Sequence, residues 1–80
     1  MNASWYGFTV AFIAEDIGPV SSVVVDATLK KMKLEQKSIK NTREYLSFLD
    51  KLKKELPDDI NANELCEKLW LEIMNQNLLS

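Results

Sequence analysis

Histidine is absent from the 80-residue sequence, and cysteine occurs once, at Cys66. Without histidine, the chain cannot build a catalytic pair of a nucleophile and a histidine, or a zinc site of cysteine and histidine. One cysteine cannot form an internal disulfide, so the pattern of a small secreted disulfide-rich protein is also missing. We therefore expect a cytoplasmic protein that works in a reducing environment, with no metal ion and no cofactor.

Glycine and proline are scarce as well, with two residues of each. The sequence contains no glycine-rich phosphate-binding loop, no calcium-binding loop and no dinucleotide-binding fingerprint. The single cysteine falls on an apolar stripe, where a thiol behaves as a small hydrophobic side chain. Adjacent acids occur at Glu15 and Asp16 and at Asp58 and Asp59, but both pairs lie at predicted element ends, where acids solvate turns. We therefore expect that the protein is not an enzyme.

The composition is typical of one globular domain, because 46% of the residues are hydrophobic and 28% are charged. A single domain of residues 1–80 buries roughly 60–65% of the surface that its unfolded chain would expose, so its stability should be modest. Residues 1–14 carry no charged side chain, yet this run is shorter than the about 20 apolar residues that a membrane-spanning helix needs. We expect this run to belong to the core, and we expect no association with a membrane.

Residues 61–79 show the clearest helical signal. Asn61 followed by Glu64 fits a capping pair. At about 100° per residue, the apolar side chains of this helix fall on two neighbouring stripes. The first stripe comprises Leu65, Cys66, Leu69 and Ile73, and the second comprises Trp70, Met74 and Leu78. Leu71 lies between the second stripe and the polar arc, so the helix needs apolar cover on two sides.

Another helix is predicted between Asn41 and Pro57. Asn41 and Thr42 can cap its start, and Pro57 ends it. Its apolar face consists of Tyr45, Phe48, Leu49, Leu52 and Leu56. Because the connection that follows is short, the last two helices should form an antiparallel hairpin.

Two interpretations fit the first 40 residues. In the first interpretation the segment forms two helices. Ser4 caps the N-terminal helix, Gly18 and Pro19 end it, and the second helix continues along an apolar seam. That seam consists of Val25, Leu29, Met32, Gln36 and Ile39. In the second interpretation the segment forms two strands, because its alternation of aromatic and β-branched residues favours a β-hairpin.

The sequence therefore favours an all-α fold, a small antiparallel four-helix bundle. The alternative is an α+β fold, in which an N-terminal β-hairpin of roughly residues 5–13 and 22–29 is followed by two or three helices. An isolated two-stranded hairpin is marginally stable in water, so that hairpin would need the later helices packed on one face, or strands added by a second chain.

Charge is distributed unevenly along the chain. Residues 30–54 carry a net charge of +6, whereas residues 1–29 carry −3 and residues 55–80 carry −5. Basic side chains recur every three or four residues, along one edge of the predicted second helix, at Lys30, Lys33, Lys37 and Lys40, with Arg43 nearby. Such a lysine row could bind phosphates or an acidic protein surface. Lysines that border a core have the same spacing, with their stems over the core and their charges in water.

Association with another protein is the function that these patterns favour. We expect a small intracellular protein–protein interaction module, a homodimer, that acts as a regulator, inhibitor, adaptor or chaperone-like partner of a larger protein. The expected anchors of the partner are Trp70, Leu71, Met74 and Leu78, unless the N-terminal segment covers them within the monomer. The lysine row would steer the partner. The alternative is a nucleic-acid-binding regulator that uses residues 30–43, although the chain has only one arginine and no aromatic side chain among the lysines.

Overall fold

The computed structural model describes residues 4–34 and 39–79, and these residues form four α-helices. The helices are α1 (Trp5–Ile17), α2 (Ser21–Lys31), α3 (Thr42–Glu55) and α4 (Ala62–Asn75), and one 3₁₀ turn, Gly18–Val20, joins α1 to α2. Neither described range contains a strand. The expected all-α helical bundle is therefore confirmed, and the alternative β-hairpin over residues 5–13 and 22–29 is wrong.

Helix α1 forms although its sequence also alternates as a strand would. The Ser4 hydroxyl accepts a hydrogen bond from the Gly7 N–H at 3.1 Å, which is the predicted N-cap. At the other end, Gly18 has a φ of +72°, a left-handed conformation that glycine adopts without steric cost, and its N–H returns to the Ala14 carbonyl. Helix signals at both ends thus prevail over the alternating pattern, because a helix satisfies its backbone internally whereas a two-stranded hairpin does not.

Helices α1 and α2 fold back on each other as an antiparallel pair. The run Trp5–Lys31 is long and apolar enough to cross a membrane by length and composition alone, with a mean hydropathy of 1.6 over 18 residues. In a straight helix, however, 20 residues span about 30 Å. The Tyr6 hydroxyl donates a hydrogen bond to Asp26 Oδ1, 20 residues further on, at 2.8 Å. The run is therefore a helical hairpin that turns at Gly18–Val20.

Helix α2 ends earlier than the sequence predicts. The apolar seam predicted one helix as far as Ile39, but α2 ends at Lys31 and Lys33 takes a left-handed φ of +58°. The Leu34 N–H returns to the Leu29 carbonyl at 2.9 Å, which is the hydrogen bond of a Schellman cap. Ile39 is still buried, although it lies beyond this helix. Gln36, the other predicted seam residue past Lys31, lies outside the described residues.

Helices α3 and α4 begin as predicted. The Asn41 side chain accepts a hydrogen bond from the Glu44 N–H at 2.9 Å, and the Asn61 side chain accepts one from the Glu64 N–H at 3.1 Å. Helix α4 was expected to reach residue 79, but it ends at Asn75 because Asn77 has a left-handed φ of +53° and caps the helix.

Neighbouring helices pack in the order α1, α2, α3, α4 and back to α1, and side chains of α1 also contact α3 across the core. All five residues of the predicted apolar face of α3 are buried, and so is the first stripe of α4. The core contains edge-to-face aromatic contacts of Trp5 with Tyr45 and Phe48, at ring distances of 5.8 and 5.3 Å. An ion pair joins Lys31 to Glu55, so the C-terminal ends of α2 and α3 lie side by side.

Candidate interaction face

Large hydrophobic side chains are exposed at two places in the described part of the chain. Val20 and Val23, which are 51% and 66% exposed, lie in the turn before α2 and on α2 itself. Leu46 of α3 is 49% exposed and Leu71 of α4 is 58% exposed. Helices α3 and α4 pack against each other, so the two leucines lie on neighbouring helices.

A groove of about 330 Å³ runs between α3 and α4 on their outer side. Its lining residues are Leu46, Leu49, Asp50, Lys53, Asn63, Cys66, Glu67 and Trp70. We call this groove, together with Leu71, the α3–α4 face. Its apolar end contains Leu46, Trp70 and Leu71, and its polar end contains Lys53 and Asn63.

Helix geometry explains why the two leucines are exposed. At about 100° per residue, Leu71 lies roughly 200° around α4 from the buried Leu69, which directs it away from the core. Leu46 lies about 100° around α3 from the buried Tyr45, which places it beside α4. Both positions therefore follow from where the core lies relative to each helix.

Trp70 lines the groove together with Leu46, directly precedes Leu71 in the chain and is only partly buried. Its ring stacks on the ring of Tyr45 with 6.4 Å between centroids and 22° between planes. Met74 and Leu78 are also partly buried and pack against the core. Of the four expected partner anchors, Leu71 is thus the one with a largely exposed side chain, and the other three contribute mainly to the bundle.

Two helices pack against the two apolar sides of α4. Helix α3 covers the side that carries Trp70, and α1 covers the side that carries Leu65, since Phe12 of α1 and Leu65 line the same cleft. The N-terminal segment therefore supplies one of the two neighbours that the double stripe requires, but Tyr45 of α3, not the N-terminal segment, stacks on Trp70.

Cys66 lies at the floor of the groove without being accessible, since it is 3% exposed. Its thiol Sγ contacts the Leu49 carbonyl oxygen at 3.9 Å as a weak donor. Burial raises the pKa of the thiol, although the charge of Lys53 acts in the opposite direction. A buried thiol with a raised pKa is a poor nucleophile, in agreement with its predicted place in the core.

The expected lysine row does not exist as one helical edge. Lys30 is in the last turn of α2, Lys33 follows the end of that helix, and Lys40 precedes α3. Arg43 is in the first turn of α3, and Lys37 lies outside the described residues. All the described members are exposed. The prediction of a row on one helix is wrong because the Schellman cap at Lys33 ends α2 before the spacing can repeat.

The adjacent acids lie near one another. A cleft of about 520 Å³ between α1 and α4 is lined by Phe12, Glu15, Asp16, Asp59, Ile60, Asn61, Glu64, Leu65 and Lys68. Glu64 pairs with Lys68 at 3.0 Å. Glu15 and Asp16 are exposed at the end of α1, and Asp59 is exposed in the turn before α4, as expected of acids that solvate turns.

Sequence reasoning missed Leu46, which lies outside the apolar stripe predicted for α3. The signal was present, because a leucine next to Tyr45 but off its stripe is either a flank of the core or an exposed contact residue. Comparison with protein families, with curated proteins and with solved structures finds no match for this chain. Over the residues that the structure describes, the chain is a small helical bundle that carries an apolar-ended groove between α3 and α4.

Proposed function

We propose that the protein functions by binding another protein through the α3–α4 face. The observation that carries this proposal is the pair of exposed leucines, Leu46 and Leu71, of which the first lines the groove with the partly buried Trp70 and the second follows Trp70 on α4. Aromatic side chains in partly covered apolar patches are typical anchors of protein interfaces. Polar and charged side chains at Asp50, Lys53 and Glu67 give the groove the mixed rim that such interfaces have.

The α3–α4 face supports this role better than the exposed valines do. Val20 and Val23 have smaller side chains, and Val20 lies in the 3₁₀ turn rather than on a regular helix. Leu46 and Leu71 lie on two packed helices of 14 residues each, which offer a rigid surface about 21 Å long. A rigid helical pair loses little conformational freedom on binding, and this favours affinity.

A regulator, inhibitor, adaptor or chaperone-like partner of a larger protein needs a binding face and no catalytic machinery. The proposed role is that of such an intracellular binding module, with self-association as one use of the face. The nucleic-acid alternative has weaker support, because no single described helix carries Lys30, Lys33 and Lys40.

Site-specific photo-crosslinking in the native cells tests the proposal. A photoreactive amino acid at position 71 should capture a protein, whereas the same amino acid at position 23, where the side chain is more exposed still, should not. Capture from neither position, or equal capture from both, contradicts the proposal.

A pair of charge-matched double variants provides the second arm of the test. Leu46→Lys with Leu71→Lys should remove association, because it places charge in the apolar end of the groove. Val20→Lys with Val23→Lys adds the same charge elsewhere and should leave association unchanged. Circular dichroism should show that both variants keep the helical content of the wild type, since all four side chains are exposed.

A further inference from the structure

The α3–α4 face has its apolar residues at one end and its polar residues at the other. Because α3 and α4 run antiparallel, the start of α3 lies beside the later part of α4, as the stacking of Tyr45 on Trp70 shows. Leu46 and Leu71 are therefore at the same end of the face. Lys53 and Asn63 lie at the opposite end of the groove.

The two helices of the face also differ in charge. Helix α3 exposes more basic than acidic side chains, namely Arg43, Lys51, Lys53 and Lys54 against Asp50. Helix α4 exposes Glu64 and Glu67 against Lys68, and Lys68 is already paired with Glu64. Over its exposed side chains, α3 is therefore net basic and α4 is net acidic, while the charged residues that line the groove itself are Asp50, Lys53 and Glu67.

Two copies of such a face can stack with two-fold symmetry in two ways. If the axis runs across the helices, α3 of one copy lies on α3 of the other and α4 lies on α4, so basic side chains face basic ones. The leucines of each copy then face the polar end of the other copy. If the axis runs parallel to the helices, α3 of each copy lies on α4 of the other. Apolar ends then meet, and the basic helix faces the acidic one.

We propose that the α3–α4 face binds a second copy of this chain about a two-fold axis parallel to the two helices, so that Leu46 of each copy contacts Leu71 of the other. This inference rests on the proposed function, because it names the partner of that same face. Both the charge and the apolar pattern select the parallel axis, since like charges placed opposite each other across an interface are unfavourable.

The size of the face is compatible with this assembly. A standard interface buries about 800 Å² on each partner. That area is roughly 15% of the 5307 Å² accessible surface of the chain. Two of the four helices can supply such a share, and the short apolar end indicates a dimer that dissociates readily on dilution.

Disulfide trapping tests both the partner and the axis. Two full-length variants, Leu46→Cys and Leu71→Cys, are mixed in equal amounts and oxidised gently, one of them carrying a tag that changes its mass. Cys66 is kept, since it is buried. The yield of the disulfide between positions 46 and 71 should exceed the yields of the 46–46 and 71–71 disulfides by at least about tenfold. Two cysteines held together in the complex have a high effective concentration. A control mixture of Leu46→Cys with Val23→Cys should give no such excess.

The outcomes separate this inference from the proposed function. An excess of same-position disulfides, or equal amounts of all pairs, overturns the parallel axis. Light scattering of the wild type supplies the second measurement, in which a species of twice the 9.2 kDa chain mass supports the second copy. If the wild type remains a monomer while position 71 captures a different protein in cells, the second-copy inference fails and the proposed function stands.

Discussion

Three helices of the bundle meet at Tyr45. Its ring lies 5.8 Å from Trp5 of α1, 5.6 Å from Phe48 of α3 and 6.4 Å from Trp70 of α4. Its hydroxyl shares a hydrogen bond of 2.8 Å with the buried hydroxyl of Thr9. Burial raises the pKa of Tyr45 well above its ordinary value of 10.0, although the Thr9 hydrogen bond acts in the opposite direction.

The raised pKa of Tyr45 predicts a loss of stability at high pH. The folded chain holds the phenolic proton more tightly than the unfolded chain, so this contribution is complete below pH 10 and is lost as pH rises above it. The free energy of unfolding should fall by up to about 1.4 kcal/mol per pH unit in that range. Urea titrations followed by circular dichroism measure the slope.

Tyr45→Phe is the matched variant for that titration. It should be about 1 kcal/mol less stable at neutral pH, because Thr9 loses its buried partner. Its stability should also fall less steeply above pH 10, the ordinary tyrosine pKa. An unchanged alkaline slope in this variant would mean that Tyr45 is not the group responsible.

Leu69 and Leu71 differ in burial although they are two residues apart on the same helix. Leu69 is fully buried and Leu71 is 58% exposed. Leu69→Ala should lower the free energy of unfolding by about 2–5 kcal/mol, because it leaves a cavity in the core. Leu71→Ala should change it by less than about 0.5 kcal/mol in the dissociated protein. Equal losses in dilute denaturant titrations would contradict the assignment of Leu71 to the outer side of α4.

At the scale of elements, two helices end in the same way. Lys33 after α2 and Asn77 after α4 both take left-handed φ values, and the following residues, Leu34 and Leu78, return their N–H groups to Leu29 and Ile73. In each case the two leucine or isoleucine side chains also belong to the core or pack against it. The hydrophobic contact that accompanies a Schellman cap is thus part of the bundle core.

The position at which α2 ends can be tested by whether one substitution raises or lowers the free energy of unfolding. Lys33→Gly should raise the free energy of unfolding by a few tenths to about 1 kcal/mol, because glycine adopts the left-handed conformation without steric cost. If the helix continued through this position, the same change would lower stability by about 1 kcal/mol. Lys30→Gly, within the last turn of α2, is the control and should be destabilising in chemical denaturation.

At the scale of the whole molecule, association and stability are coupled. A chain of 80 residues buries a small core, and a partner on the α3–α4 face adds to its stability by mass action. The acidic and basic sides of the face also make association sensitive to salt.

Thermal unfolding should therefore depend on protein concentration. For a dimer that unfolds to monomers, a tenfold rise in concentration should raise the midpoint temperature by about 4 °C. Leu46→Lys with Leu71→Lys should remove this dependence, whereas Val20→Lys with Val23→Lys should keep it. A wild-type midpoint that is constant over the range, measured by calorimetry, would contradict association with a second copy.

Local sequence predicted the helix starts and the buried faces. The caps at Ser4, Asn41 and Asn61 need only a side chain and a backbone N–H within one turn, so the residues next to them decide the outcome. The buried face of α3 follows from spacing alone, because side chains three or four residues apart share one side of a helix.

Three features could not be read from spacing. The end of α2 depends on the left-handed conformation of Lys33 and on the return of the Leu34 N–H to the Leu29 carbonyl, which no local preference of Lys33 indicates. The partial burial of Trp70 depends on Tyr45, which arrives from another helix. The role of Leu46 in the face depends on α4 lying beside α3.

By itself, the sequence determined that the last two helices form, where they begin and which side of α3 is buried, because these properties arise within one or two helical turns. For the first 40 residues it favoured helices but left a β-hairpin as the alternative. The tertiary structure alone decided that α2 ends at Lys31, that Trp70 is partly covered while Leu71 is exposed, and that Leu46 lines one groove with Trp70. The physical reason is that the cover of Trp70 and the place of Leu46 depend on contacts between segments distant in the chain, which exist only once the helices have packed. The end of α2 depends on a left-handed conformation of Lys33 that the lysine side chain does not favour.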